Sequence, residues 1–405
     1  MSHNQSSSDA APSICFILHK PDFHASTLEL EQDETQDTSQ LWSAAHAMLD
    51  EVPIRPLEIG AHTLSAVNIL KAMLNFAYIC DGQRYVAAAI LAAGTRKVQE
   101  TVYNETELTA EEDIAIQDCY DKDGLYGLAF DWLQLLLWPF KRAYKSLDEF
   151  ASEHSSPTFE SAENKIDPAS DSKPSILLAQ TLKRDGFRCI MSCMRDVKSI
   201  QAGHTENVGV SAHLEAAHIL RRSIFTEKSS ASSQPPATID ILKHFARLSD
   251  DAGNELTRSI DTLENMFMLQ SDWHKRFDAF DWCLIPDELD GSEKSSTEQW
   301  CTLKSFLEIT LPGDRRSDRI VFKNNASPDH DLKVPNPKYL AIHAAITHVL
   351  HMSGAGRVLN LIADDSFPSA SAALSRPSSS VDFGGADLAL RSSVLSLMAS
   401  LRGTP

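Results

Sequence analysis

The sequence predicts an α+β protein: a small core of two short strands and one helix, embedded in a mostly helical chain with disordered termini and a Ser/Pro-rich linker. Three observations predict it. HLEAAHIL, from His213 to Leu220, reads as a strand whose side chains alternate between two faces. LENMFMLQSDWHKRFDAFDW, from Leu263 to Trp282, changes from a short apolar run to helical spacing near Ser271. Most of the remaining ordered sequence repeats its apolar residues every three or four positions, and segments rich in Ser and Pro interrupt it.

Taken in order, residues 1–40 are rich in Ser, Asp, Glu and Gln and read as mobile, with Ile14 to Leu18 as a short edge strand. Residues 41–144 read as a helical region. Leu64, Val67, Leu70, Met73 and Ala77 form one stripe, Tyr85 to Ala93 continues as a helix stopped by Gly94, and Leu125 to Tyr144 is a helix bent or ended by Pro139. Residues 145–174 lose this periodicity and have the composition of a linker. Residues 175–361 form a second unit. SILLAQTLKRDGFRC opens it with a helix, a helix is expected over Ile239 to Leu248, and Lys338 to Leu361 closes it with helices broken near Gly354 and Gly356. Residues 362–405 are a Ser-rich tail with a short Leu-spaced helix near Leu388 to Leu401.

The strands and the helix after them gather chemistry-bearing side chains. Alternation sends Leu214, Ala216 and His218 to one face of the first strand and Glu215, Ala217 and Ile219 to the other. The first strand should pair antiparallel with residues 266–269, the 45 or so intervening residues looping out. Ser271 or Asp272 suits the N-cap of the following helix. Trp273, Phe277 and Phe280 would form its buried stripe, and His274 and Asp278, at i and i+4, face one small site.

Composition restricts the function. The chain has 405 residues, 42% of them apolar, which is enough for a sizeable core. No run reaches the roughly 18 apolar residues a membrane span needs. The N-terminus MSHNQSSSDAAP lacks the pattern of a secretory signal, so an intracellular protein of nucleus or cytoplasm, with no membrane partner, is expected. The seven cysteines then read as reduced thiols. The net charge of −19 argues against coating nucleic acid through global positive charge. That charge is uneven: residues 1–175 carry 12 Lys and Arg against 28 Asp and Glu, whereas residues 176–285 carry 13 against 14.

A strand ending in His218, an Asn265 before a second strand and a His274 on the next helix resemble the HNH endonuclease domain of the ββα-metal nucleases, in a variant common in fungal proteins. RDGFRC (Arg184 to Cys189), AHI (Ala217 to Ile219), the Phe277-Asp278 pair and PNPKYLAIHAAITHVLHMSGAG (Pro335 to Gly356) carry the likeness, which covers residues 176–360. It implies a metal-dependent endonuclease that hydrolyses phosphodiester bonds, with DNA as the expected partner and one hydrated Mg²⁺ or similar hard divalent ion. The alternative is a catalytically degenerate HNH fold kept as a nucleic-acid-binding or protein-interaction module.

Residue by residue, the resemblance implies His218 as general base, Asn265 as the side chain fixing the base's loop, and His274 as metal ligand. A neutral imidazole suits base catalysis near pH 7. Many HNH proteins have an acidic ligand just before the first His; here that position is Ala217. Either a bulge redirects Glu215, or Asp278 substitutes, or metal binding is weak. Cys189 and Cys193 form a lone C-x3-C pair without a second pair, so no structural zinc is expected. His343, His348 and His351 read as polar positions on a surface or an interface. Lys183, Arg184, Arg188, Arg221, Arg222, Lys275 and Arg276 are the candidate phosphate contacts on one rim. The acidic residues 1–175 are expected to lie away from that face or to screen it, and the oligomeric state stays open.

Overall fold

The computed structural model describes residues 17–77, 80–95, 120–145, 173–207, 209–221, 224, 237–249, 251–287, 298–306, 318–326 and 331–366. The linker over 145–174 falls almost wholly outside these, as do Ile14 to Cys15 and the helix expected near Leu388 to Leu401. Ile17–His19 is a single 3-10 turn rather than part of an edge strand. Helix α1 (Pro21–Gln32) and α2 (Thr38–Glu51) follow, so much of the stretch expected to be mobile is helical. Pro21 at its start suits α1, and Asp37 with Gln40 closes a reciprocal capping box on α2.

Strands β1 (Leu57–Ile59) and β2 (His62–Leu64) form a small hairpin that helical spacing conceals, turned through Gly60 at φ 58°. Helices α3 (Ala66–Phe76), α4 (Cys80–Gly94), α5 (Lys122–Trp132) and α6 (Trp138–Lys145) complete the N-terminal layer. Between α5 and α6 the chain makes a π turn over Leu133–Leu137. Pro139 explains it: having no N–H, it leaves the Leu135 carbonyl without its helical donor. That carbonyl accepts the Thr238 hydroxyl instead, at 2.7 Å.

Helix α7 (Lys173–Arg184) leads into β3 (Arg195–Asp196), a one-turn helix α8 (Val197–Gln201) and β4 (Ser211–Ala212), which pairs parallel with β3. Strand β5 (Leu214–His218) comes next, then α9 (Ala237–Phe245), α10 (Ala252–Ser259), β6 (Met266–Gln270) and α11 (Ser271–Asp278). As expected, β5 and β6 pair antiparallel, from Leu214 opposite Gln270 to His218 opposite Met266, with no break in register.

Strands β7 (Trp282–Pro286), β8 (Glu298–Ser305) and β9 (Arg319–Lys323) form an antiparallel sheet in the order β7-β8-β9. Helical spacing predicts no strand here, although WCTL alternates between Trp300, exposed, and Cys301, buried. Helices α12 (Pro337–Met352) and α13 (Ala355–Ser366) are the last described elements, separated at Gly354 with φ 76°.

One continuous hydrophobic core runs from Ile17 to Ala363. Helix α3 packs on α12, α6 on α13, and α4 on α9. The last contact is close: a Cβ at Gly82 would lie 2.4 Å from the Phe245 carbonyl oxygen. The acidic N-terminal layer therefore shares its core with the second unit. Among the described residues no helix is long and apolar enough to cross a membrane.

A two-stranded sheet is marginal by itself because each strand has an open edge. The RDGFRC segment covers the open edge of β6. Arg184 is wholly buried, forks onto Asp185 (Nε to Oδ1, 2.7 Å), and donates to the carbonyls of Met266 (2.7 Å), Leu263 (2.6 Å) and Lys333 (3.1 Å). Asp185 accepts the Met268 amide at 2.8 Å, Ile190 N–H donates to the Met268 carbonyl at 3.1 Å, and Cys189 Sγ accepts the Gln270 amide at 3.3 Å. Arg184 is thus an internal clamp and not a phosphate contact, a correction that follows from its burial. Arg184→Met should cost about 3–5 kcal/mol, as expected when one partner of a buried ion pair is removed. Lys183→Ala, next to it but exposed, should stay within about 0.5 kcal/mol. Urea denaturation of both variants checks this.

Asp131, 1% exposed on α5, accepts the Leu18 amide at 3.0 Å and so fastens the N-terminal turn to the helical layer. Burial pushes its carboxyl from the ordinary value up to about 6. The folded state therefore holds this proton more tightly than the unfolded chain does, and the stabilisation is full below about pH 4 and lost as the pH rises through about 6. The difference is about 3 kcal/mol from the displacement of the pKa. Asp131→Asn should flatten that part of the stability-versus-pH curve, measured by denaturant titration between pH 4 and 8.

Candidate functional site

The site forms where α11 crosses the β5–β6 pair. Phe277 and Trp273 are buried on its inner side; Phe277 meets Phe267 edge-on at 5.2 Å, and Trp273 meets Trp282 at 5.7 Å. The expected stripe is therefore buried, although Phe280 lies beyond the helix at φ 65°. Neither Ser271 nor Asp272 caps the helix. Gln270 occupies that position without a side-chain bond, and Ser271 Oγ instead donates to Glu215 Oε1.

Glu215 points from β5 toward α11, and its Oε2 lies 2.7 Å from His274 Nδ1. Burial alone would raise the Glu215 carboxyl, but hydrogen bonds from His274 and Ser271 hold it below the ordinary glutamate range. An ionised carboxylate only accepts, so His274 Nδ1 must carry the proton of this bond. His274 Nε2 then faces Asp278 Oδ2 at 3.4 Å, so these two side chains, four residues apart, meet on one face of α11. Arg221 Nη2 donates to the same Asp278 oxygen. Burial pushes the Asp278 carboxyl up, although the charges of His274 and Arg221 act in the opposite direction. The result is one buried chain of polar groups: Ser271, Glu215, His274, Asp278 and Arg221.

Asn265 is 1% exposed just before β6. Its Oδ1 accepts the Leu220 amide at 2.9 Å, and its Nδ2 donates to the carbonyls of Leu220 (2.8 Å) and Ile260 (2.9 Å). Its own carbonyl accepts the Ile219 amide at 2.9 Å. Asn265 therefore fixes the two residues that follow His218, at the point where the strand leaves its pair.

The unbroken register overturns one sequence alternative: no bulge redirects Glu215. The pleat puts Glu215 on the face that α11 covers, whereas His218, half-buried at the last position of β5, belongs to the face of Leu214 and Ala216. Ala217 is fully buried. Among the seven expected phosphate contacts, Lys183, Arg188, Lys275 and Arg276 are exposed, Arg221 is 11% exposed against Asp278, Arg184 is internal, and Arg222 lies outside the described residues.

The donor atoms fit a hard divalent cation in part. His274 Nε2 and Asp278 Oδ1 are buried without hydrogen-bond partners among the described residues, and a metal would satisfy both. The same residues contain no group of three or more His, Cys, Asp and Glu side chains arranged around one point. Cys189 is engaged by backbone amides, while burial pushes the Cys283 and Cys301 thiols up to about 12.

Sequence reasoning missed several supporting residues. His343, expected at a surface or an interface, is wholly buried between the rings of Phe277 (3.9 Å) and Phe280 (4.9 Å), and burial pushes its pKa down to about 3. Lys141 and His351 hold the exit of α11; a lysine inside the apolar run LLLWPFKRAY was the one available signal.

No curated protein and no solved structure matches the chain. A family model does: residues 195–285, from β3 into β7, match the HNH endonuclease family. That segment contains Glu215, His218, Asn265, His274 and Asp278 and leaves the N-terminal layer, the RDGFRC clamp and α12 outside the match. Over those residues the chain is similar to the HNH endonuclease family; the match supports an HNH endonuclease domain there and suggests nucleic-acid-acting chemistry of the nuclease type.

Proposed function

We propose that the protein is a metal-dependent endonuclease that hydrolyses phosphodiester bonds in DNA. One observation carries the reading: His274, on the helix after β6, is oriented by Glu215 through Nδ1 and turns a free Nε2 toward Asp278, inside the HNH-matching segment. A carboxylate holding one ring nitrogen so that the other can ligate is the usual support of a histidine metal ligand. His274 and Asp278 would hold the ion, and Glu215 would set the imidazole's tautomer. When bound, a hard divalent ion supplies positive charge to the scissile phosphate and the leaving oxygen.

The chain's own residues provide the rest. His218, at the end of β5, serves as the base that takes a proton from water, as an imidazole can near neutral pH. Asn265 holds residues 219 and 220 and thereby the direction in which His218 leaves the strand. Lys275 and Arg276, exposed beside His274, contact phosphate, as do Lys183 and Arg188. A second reading, a degenerate HNH fold that binds nucleic acid or protein without cutting, draws on two observations: Ala217 stands where many HNH proteins have an acidic ligand, and the pleat separates His218 from Glu215.

Plasmid nicking with Mg²⁺ or Mn²⁺ tests the reading. His218→Ala should fold normally and lose about 10²–10⁴-fold in rate, the usual worth of a general base. Equal background nicking by wild type and variant would leave the binding module as the function. In a salt titration of DNA affinity, Lys275→Ala with Arg276→Ala should lower the slope of log K against log salt by about 2, near 0.9 for each lost phosphate contact. An unchanged slope would remove these two residues from the interface.

A further inference from the structure

The exit of α11, immediately after Asp278, is held by groups from outside the HNH-matching segment. The helix ends in a Schellman arrangement: Asp281 N–H donates to the Arg276 carbonyl and Phe280 N–H to the Phe277 carbonyl, each at 2.9 Å. The residue between, Phe280, has φ 65°, where glycine is the usual occupant. A bulky side chain keeps this backbone only if its surroundings fix it. The surroundings here are Lys141, His343 and His351. His351 Nε2–H donates to the Phe280 carbonyl at 2.7 Å and stacks on Phe306 at 4.3 Å.

Lys141 is the component contributed by the N-terminal layer. It is 4% exposed on α6, donates from Nζ to the Ala279 carbonyl at 2.7 Å, and lies over the Phe280 ring at 5.3 Å. A cation at a helix C-terminus complements the negative end of the helix dipole. Its acceptor belongs to the residue next to Asp278, one turn of helix from His274. Burying a lysine is costly unless its head is well bound, and a leucine or methionine would fill the same apolar space.

We propose that Lys141 is a positioning residue for the site: by fixing the C-terminus of α11 through Ala279 and Phe280, it sets where Asp278 and His274 stand relative to β5. It touches neither substrate nor metal. Its effect passes through the helix, and the acidic N-terminal layer becomes a structural support of the HNH segment.

The test compares Lys141→Met, which keeps the stem and loses the donor, with Lys141→Arg, which keeps donor and charge. One arm is plasmid nicking and rests on the nuclease reading. Lys141→Met should lose about 10–100-fold in turnover, the usual cost of removing an outer supporting partner, with KM for DNA unchanged, and Lys141→Arg should recover most of it. The other arm is independent of activity: ¹H–¹⁵N spectra of the histidine side chains. In Lys141→Met the His274 ring resonances should move while those of His46, on α2, stay in place, and Lys141→Arg should restore them. If wild type does not nick but the His274 resonances follow this pattern, the nuclease reading fails and the positioning role stands. Unmoved His274 resonances in folded Lys141→Met overturn the proposal, as does wild-type turnover in that variant while His218→Ala is inactive. If Lys141→Met does not fold, Lys141→Gln, whose amide is too short to reach Ala279, takes its place under the same criteria.

Discussion

The free edge of β6 is the constraint on which the site depends. A pair of five-residue strands buries too little to persist alone, and the polar groups on its outer edge would be left unpaired. The RDGFRC segment resolves both problems with side-chain groups as well as backbone. Arg184 takes three carbonyls, Asp185 takes an amide and neutralises the guanidinium, and Cys189 and Ile190 bond farther along the strand. With that edge closed, the opposite edge of β6 is free to pair with β5, and the register that follows brings Glu215 to the foot of α11. Gly186, at φ 65°, and Phe187, at φ 57°, give the tight turn that lets Arg184 and Cys189 act on the same strand.

The strand–strand–helix core was legible in the sequence because its signals are local. Alternation in HLEAAHIL, an apolar run before a polar helix start, and the i, i+4 pair His274 and Asp278 each need only a few neighbouring residues to be read. The three-stranded sheet was not legible because its strands are separated by segments that give no periodic signal. The role of Arg184 was equally hidden. Lys183 and Arg184 are adjacent and chemically alike, but one helical step of about 100° separates an exposed face from a buried one. Composition cannot distinguish a surface cation from an internal clamp; only the elements packed on the chain do so. His343 illustrates the same limit, since nothing local says that a histidine on α12 will lie between two phenylalanine rings.

The shared core changes the meaning of the acidic N-terminal layer. A region of 12 cations and 28 anions looks like a separate solvated module when charge is counted along the sequence. In the fold its apolar faces meet α9, α12 and α13, and two buried side chains, Lys141 and Thr238, each donate to a backbone carbonyl across the boundary. Charge describes the outer surface of these helices; their inner surface belongs to the same core as the candidate site.

The basic residues around the site accordingly divide by function in the fold. Arg184, Arg221 and Lys141 face inward, each bound to a carbonyl or carboxylate that burial would otherwise leave unsatisfied. Lys183, Arg188, Lys275 and Arg276 face outward, where their charge is available to a polyanion. On the proposed nuclease reading, an acidic protein would approach nucleic acid through a small local field, because screening limits surface electrostatics to about 8–10 Å at ordinary salt and the distant anions are felt weakly. The internal cations contribute nothing to that field. They hold the edge of β6, the Asp278 carboxylate and the end of α11 in place, so that the exposed cations and the His274 network lie on a rigid support.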